Sequence, residues 1–286
     1  MNIQRDRAIM ALAYVAAFVA GALVLMDLSD EVHPLLAMFG ADLIATLVIF
    51  VTSLVLNNSS MYDPYWSAAP IAMAVFWAVT GGLSLTSGLL LFCILAWGIR
   101  LTWNFLRGWP GLHHEDWRYV SYREDIGMLY WGVSLGGFHL FPTTVVFLAM
   151  IPTWYAFSAD VSLNAGMVIG ALISLGGTVL EGVADNQLRD FRAARTDPEQ
   201  VLAEGVWAWC RHPNYLGEIL FWWGLWVFGL SASLSAGWAV IGALGITVMF
   251  KTVSLSLIDN RMLKKRPHYQ EHIDKRSALL PFWRPR

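Results

Sequence analysis

Runs of about 20 mostly apolar residues, the length a helix needs to cross a bilayer, recur along the whole chain. They lie at 8–27, 34–57, 67–82, 84–106, 127–157, 163–186, 214–233 and 236–255. In hydrocarbon every backbone polar group must be satisfied within its own segment, so such runs form helices. The expectation is an all-α, polytopic membrane bundle of about eight spanning helices, folded as a single transmembrane domain over 1–286. The third run is short. The fifth is long and holds Gly136, Gly137 and Pro142, which predicts a bend or break. Composition agrees, with 57% hydrophobic and 14% charged residues, where a soluble domain carries about 25% charged. Cys93 and Cys210 form neither a disulfide framework nor a metal spacing.

Charge is distributed unevenly among the links. Arg5 and Arg7 precede the first run, which lacks a signal-peptide cleavage pattern. Arg107, Arg118 and Arg123 lie between the fourth and fifth. Arg189, Arg192, Arg195 and Arg211 lie between the sixth and seventh, and Lys264, Lys265, Arg266, Lys275 and Arg276 follow the eighth. The alternate links hold Asp27, Asp30, Glu31 and Asp160 and no basic residue. Eight spans with this bias put both termini on the cytoplasmic side. Three glycine pairs, Gly81-Gly82, Gly136-Gly137 and Gly176-Gly177, allow close helix packing. They lack the strand and the downstream acid of a dinucleotide fingerprint.

The polar residues inside this apolar frame are the functional candidates, because ionisable groups at membrane depth are costly and face a cavity or a partner. Arg211-His212-Pro213-Asn214-Tyr215-Leu216-Gly217-Glu218 opens the seventh run. Proline suits a first helical turn and asparagine a cap, so the segment reads as a capped helix start that presents polar groups. An interfacial anchor is the blander reading. In the sixth run Glu181, Asp185 and Arg189 are spaced by four, with Arg192 three later, so all share one face. They read either as a self-satisfied salt-bridge ladder or as a cradle in which arginines hold phosphate. Arg100, Trp103, Asn104 and Arg107 end the fourth run. Lys251, Asp259 and Arg261 close the last, and Glu115-Asp116-Trp117-Arg118-Tyr119 covers the same face. This convergence points to an anionic cofactor. Asp63, in Met61-Tyr62-Asp63-Pro64-Tyr65-Trp66, is ringed by aromatics. It reads as a helix cap or as a carboxyl kept neutral beside a tyrosine, able to polarise a ketone. The histidines show no metal-ligand pairing, and no metal is expected.

Cys210 to Glu218 (CRHPNYLGE) resembles the C-terminal signature of membrane sterol reductases and of steroid 5-alpha-reductase-like proteins. It is most similar to the bacterial branch of the latter, long described only as a domain of unknown function. The same branch is resembled in Arg100-Leu101-Thr102-Trp103, in Glu115 to Tyr119, in Asp63-Pro64-Tyr65-Trp66, and in Tyr269 with Ser277-Ala278-Leu279-Leu280-Pro281-Phe282. A related group of membrane methyltransferases shares the seventh-run signature, whereas the five blocks in order are more specific.

The resemblance implies an NADPH-dependent reductase whose cofactor enters from the cytoplasm into the C-terminal part of the bundle, about 95–286. It implies cofactor contacts from Asn214, Tyr215 and Glu218, from Asp185, Arg189 and Arg192, and from Arg100. Arg211, Lys251, Asp259 and Arg261 are added from their place at the same face. The family polarises its substrate carbonyl with a Gln-Glu pair and a Tyr. Here Asp63 stands at the acid, Tyr62 at the Gln and Trp97 at the Tyr, which loosens the steroid assignment. Tyr62 and Tyr65 are the candidates for the missing hydroxyl. The expected reaction is reduction of an activated C=C bond in a lipophilic enone. A bacterial inner membrane is the expected setting. The partners are a lipophilic small molecule and membrane lipids, not nucleic acid. The rivals are an S-adenosylmethionine-dependent methyltransferase of a prenyl or phospholipid substrate, and a non-enzymatic lipid-binding protein.

Overall fold

A computed structural model describes residues 2–281; Met1 and 282–286, including Phe282 of the closing block, lie outside the described residues. Every regular element among the described residues is helical. An antiparallel pair opens it, α1 (Ile3–Leu28) and α2 (Pro34–Val55), joined by a tight link. A single 3-10 turn, Ser59–Met61, leads into α3 (Tyr65–Gly81), and α4 (Leu85–Gly108) follows. A short amphipathic helix, α5 (Trp117–Ile126), runs through a 3-10 turn into α6 (Tyr130–Val133). A π-helical turn, Ser134–Leu140, joins α6 to α7 (Phe141–Ser158). The longest helix is α8 (Ala165–Ala194), followed by α9 (Pro213–Ala232), α10 (Val240–Met249), α11 (Leu255–Lys265) and α12 (Tyr269–Lys275).

Local chemistry explains several boundaries. Ser84 and Ser87 form a reciprocal capping box at α4, Ser87 Oγ accepting from Ser84 N at 2.7 Å. Asn164 caps α8 by accepting from Met167 N at 3.0 Å. The bend expected around Gly136-Gly137 is the π turn, which is continuous with its neighbours rather than a break. Two caps expected from sequence are not made. Pro213 does open α9, but Asn214 does not cap it, and Asp63 does not cap α3. Both side chains are drawn to partners on other helices.

Among the described residues seven stretches are long and apolar enough to cross a membrane: α1, α2, α4, Trp117–Ser158, α8, α9 and Leu234–Lys265. The third expected span, α3, has 17 residues, short of the ~20 a bilayer requires. The orientation deduced from an even number of crossings therefore hinges on α3. The bundle exposes aliphatic side chains, such as Leu12, Val15, Val19 and Leu23 of α1, and its interior holds a set of aromatics that includes Tyr65, Trp97, Phe221, Trp222 and Phe228.

The tightest packing joins α8 to α9. A β-carbon on Gly170 would lie 2.7 Å from Gly224 O, and one on Gly217 would lie 2.7 Å from Glu181 N. Gly177 likewise abuts the backbone of Gly217 and Phe221. Lipid is as apolar as a leucine side chain, so close backbone approach is what drives helices together in a bilayer. Of the glycine pairs singled out in the sequence, Gly177 serves this seam and Gly81 abuts Phe157, whereas Gly136 and Gly176 meet nothing within 4 Å. The seam sets the depth at which Asn214 and Glu218 face Glu181 and Asp185. Replacing Gly217 with Val forces backbone apart, and we expect a loss of about 1–3 kcal/mol, read as a lowered thermal midpoint in detergent; an unchanged midpoint would show that the seam tolerates side chains.

Candidate active site

The ionisable groups of α4, α8 and α9 meet in one buried cluster. Arg100 reaches from α4 to α8, where Nη1 donates to Asp185 Oδ2 at 2.9 Å. Its Nη2 lies 2.6 Å from Glu181 Oε2, a close ion pair without hydrogen-bond alignment. Asn104 Nδ2 donates to the same Asp185 Oδ2 at 2.9 Å, and Asn214 Nδ2 of α9 lies 3.4 Å from Oδ1. Glu218 is held by two indoles, Trp97 Nε1 at 2.8 Å and Trp222 Nε1 at 2.9 Å. Trp97, at the position of the family tyrosine, is stacked on Phe221 at 4.3 Å and committed to Glu218.

Two carboxyl groups, of Glu181 and Asp185, therefore pair with one guanidinium, and a third, of Glu218, lies within its electrostatic reach. Arg100 Nε and Asn214 Oδ1 are buried there without a hydrogen-bond partner. Orphaned buried polar atoms are rare and ask for a missing water, ion or ligand; here they share one spot with the closest charges in the bundle. The self-satisfied ladder on α8 is not formed. Glu181 and Asp185 pair across to α4, while Arg189 and Arg192 are exposed one and two turns further along. Arg189 Nη2 donates to Asn186 Oδ1 at 3.0 Å, and its Nε lies 3.9 Å from Asp190 Oδ1. Arg192 stays within electrostatic reach of Asp185.

A second cluster is built on the turn before α3. The Asp63 carboxyl accepts from Tyr119 Oη at 2.6 Å and lies 4.0 Å from Arg118 Nη2. The segment carrying these partners is laced to that turn: Ser59 N donates to Glu115 at 2.7 Å, and Asp116 N donates to Ser60 Oγ at 2.8 Å. Arg261 of α11 stacks on Trp117 at 3.9 Å and pins the other side. Burial lifts the Asp63 carboxyl to about 6, Arg118 opposing the shift and Asp116 adding to it. Tyr62 and Tyr65 are adjacent in sequence but aim elsewhere. The Tyr62 hydroxyl bonds Thr143 at 2.8 Å and the Tyr65 hydroxyl bonds Asp42 at 2.8 Å, both in the core.

Tyr215 links the two clusters, being within electrostatic reach of Arg118 and Asp116 on one side and of Asp185 and Glu181 on the other. Its ring packs on Phe250 at 4.9 Å, and Phe250 packs on Trp66 at 6.0 Å. The remaining residues expected at the site lie apart from it. Arg211 Nη2 donates to Asp259 Oδ2 at 2.8 Å, and His212 Nε2 lies 3.0 Å from Oδ1. With Tyr269 Oη 3.3 Å from Asp259 and with Arg211 N and His212 N donating to Ser277 O and Ala278 O, they form a clasp for the C-terminal segment. Lys251 is exposed on a second π turn, Phe250–Ser254. Trp222, Thr143 and Asp42 are absent from the residues singled out by sequence. Asp42 alone carried a signal, as a lone acid in the middle of an apolar run.

Residues 49–276 match a family described as a protein of unknown function, DUF1295. The chain belongs to this family, which is related to steroid 5-alpha-reductase-like proteins. The chain is also similar to an uncharacterized protein, C594.04c, of the fission yeast Schizosaccharomyces pombe. That protein is 29% identical over 263 residues, covering 82% of this chain and 76% of the yeast protein. The likeness thus includes a eukaryotic protein. No solved structure matches.

The raised Asp63 value has a definite sign in stability. The folded state holds this proton more tightly than the unfolded chain, so the contribution is complete below the ordinary value of 3.8 and is lost as pH rises through about 6. We expect Asp63→Asn to flatten the fall in thermal midpoint across that window in detergent; the same slope in the variant would assign it to another group.

Proposed function

We propose that this protein is a membrane-embedded, NADPH-dependent reductase of an activated C=C bond in a lipophilic enone. The observation that carries the proposal is the division of α8: exposed Arg189 and Arg192 lead within two turns to a buried cluster with orphaned donor and acceptor atoms. Guanidiniums recognise phosphate by paired hydrogen bonds. The acid-rich interior suits hydroxyl and amide groups and is hostile to phosphate. Arg189 and Arg192 would hold the phosphates, while Asp185, Asn214 and Glu181 with Arg100 would meet the polar groups further in. Bound there, the nicotinamide would supply hydride to the carbon beta to the substrate carbonyl.

The chain's own contribution to the chemistry would come from the Asp63 cluster. A carboxyl with a value near 6 is poised between donor and acceptor near neutral pH. The Tyr119 hydroxyl donates to it at 2.6 Å, so the protonated Asp63 carboxyl, held by Tyr119, would be the group that donates to a carbonyl oxygen on which charge grows. Tyr62 and Tyr65, the candidates for a donating hydroxyl by sequence, point their own hydroxyls into the core, and Tyr119 is the tyrosine that meets Asp63. Preorganised donors of this kind are worth about 10²–10³ in rate. The dry surroundings strengthen them. In this reading the Arg189 face is cytoplasmic, in keeping with the bias of basic residues among the links.

One observation favours a second reading. Three carboxyls within reach of a single guanidinium would also suit a cationic ligand, such as the sulfonium of S-adenosylmethionine on a methyltransferase. Thermal shift of detergent-purified protein separates the two. NADPH at 100 times its dissociation constant should add about 2.7 kcal/mol of apparent stability, lost in Arg192→Ala. Stabilisation by S-adenosylmethionine alone would replace the reductase with the methyltransferase, and response to neither in a folded sample would leave a lipid-binding protein. With an enone that turns over, Asp63→Asn should lower kcat by roughly 10²–10³ while NADPH binding persists; a smaller drop would remove Asp63 from the chemistry.

A further inference from the structure

Asp42 sits in the middle of α2, 5% exposed, at a depth where a carboxyl is costly and marks a task. The mechanism above leaves it unused. It accepts from Tyr65 Oη at 2.8 Å, and Tyr65 is 1% exposed. One turn along the same face of α2, Thr46 lies within reach of the Tyr65 hydroxyl and 3.0 Å from Thr143 Oγ1 of α7. Thr143 in turn bonds the Tyr62 hydroxyl at 2.8 Å. The result is a brace of two linked pairs, Asp42–Tyr65 and Thr46–Thr143–Tyr62, carried on one face of α2 and all buried.

The brace grips the residues on both sides of Asp63-Pro64. Tyr62 precedes that pair and Tyr65 follows it, and both hydroxyls are tied inward to α2 and α7. With its flanks so fixed, the turn presents Asp63 to Tyr119 and Arg118. Two tyrosines that sequence marks as reactive are, in this geometry, the anchors of the acid between them.

We propose that Asp42 is a positioning residue: by holding Tyr65 it sets the turn that aims the Asp63 carboxyl at Tyr119 and Arg118. Its functional meaning rests on the reading of Asp63 as the substrate-facing acid, but its test does not require turnover. Asp63 is faced by Arg118, Asp116 and Tyr119 from the 116–119 segment, by Tyr62 from its own turn and by Tyr14 from α1. Loosening the turn lets the carboxyl leave this enclosure for water, so its titration midpoint falls from about 6 toward 3.8.

The experiment is infrared titration of the protonated carboxyl band, assigned by its loss in Asp63→Asn. Tyr65→Phe and Asp42→Leu each remove the anchoring bond and should lower the midpoint by about one pH unit, a tenfold weaker hold on the proton. Asp42→Asn removes the charge but keeps an oxygen to accept from Tyr65, and should leave the midpoint in place. If Asp42→Leu does not fold, Tyr65→Phe decides, since it loses only a hydroxyl. An unchanged midpoint in folded Tyr65→Phe, or a shift in Asp42→Asn equal to that in Asp42→Leu, overturns the proposal. NADPH binding is measured on the same samples: its absence from wild-type protein would sink the reductase reading and leave the positioning result standing.

Discussion

A guanidinium buried within a membrane bundle must be paired, and the pairing of Arg100 with Glu181 and Asp185 organises the rest of the site. A lone charge at that depth is expensive by any measure, whereas a pair with aligned partners can stand. The requirement fixes α4 against α8. The glycine seam then fixes α9 against α8, and Asn214, Glu218, Trp97 and Trp222 arrive where they do because two independent constraints agree. Packing and electrostatics have different ranges here. The seam acts through backbone contact, and the ion pair acts across the side-chain gap between α4 and α8.

Four of the arginines that sequence groups together have three distinct fates. Arg100 is spent on neighbouring acids, Arg211 is spent on Asp259 and the C-terminal segment, and Arg189 and Arg192 remain exposed. Of these four, the last two would be the ones to meet an anion. In the proposed reading, two exposed guanidiniums beside an acid-rich interior would discriminate between the ends of an extended ligand, with phosphate held at the rim and kept from the floor. That asymmetry would orient a dinucleotide without any Gly-rich phosphate loop.

Much of this was legible from the order of residues. Hydropathy located the spans, because a bilayer imposes a length on any helix that crosses it. Spacing by four placed Glu181 and Asp185 on one face, and Asp63 stood out among aromatics. Partner choice was not legible. Whether Asp185 pairs with Arg189 on its own helix or with Arg100 across the bundle depends on interhelical distances, which no local pattern contains. The same holds for Asp259, grouped with the cofactor residues by its place near the end of the last run, and for Tyr62 and Tyr65, whose neighbours in sequence conceal the opposite aim of their hydroxyls. The boundary of α3 fell between readings for a different reason: a 17-residue helix lies at the edge of what a membrane can select.

The π turn at Ser134–Leu140 makes this architecture unevenly sensitive to length. Each α-helical residue advances the face by about 100°, and a π turn absorbs one residue more than an α turn within a single circuit. The surplus is taken up locally, so Thr143 on α7 keeps the face it would have on a regular helix one residue shorter. Removing one residue within the π turn would let the helix become regular with Thr143 still toward Tyr62. Removing one from the regular stretch between the turn and Thr143 would swing that hydroxyl by about 100° and break its bond to Tyr62.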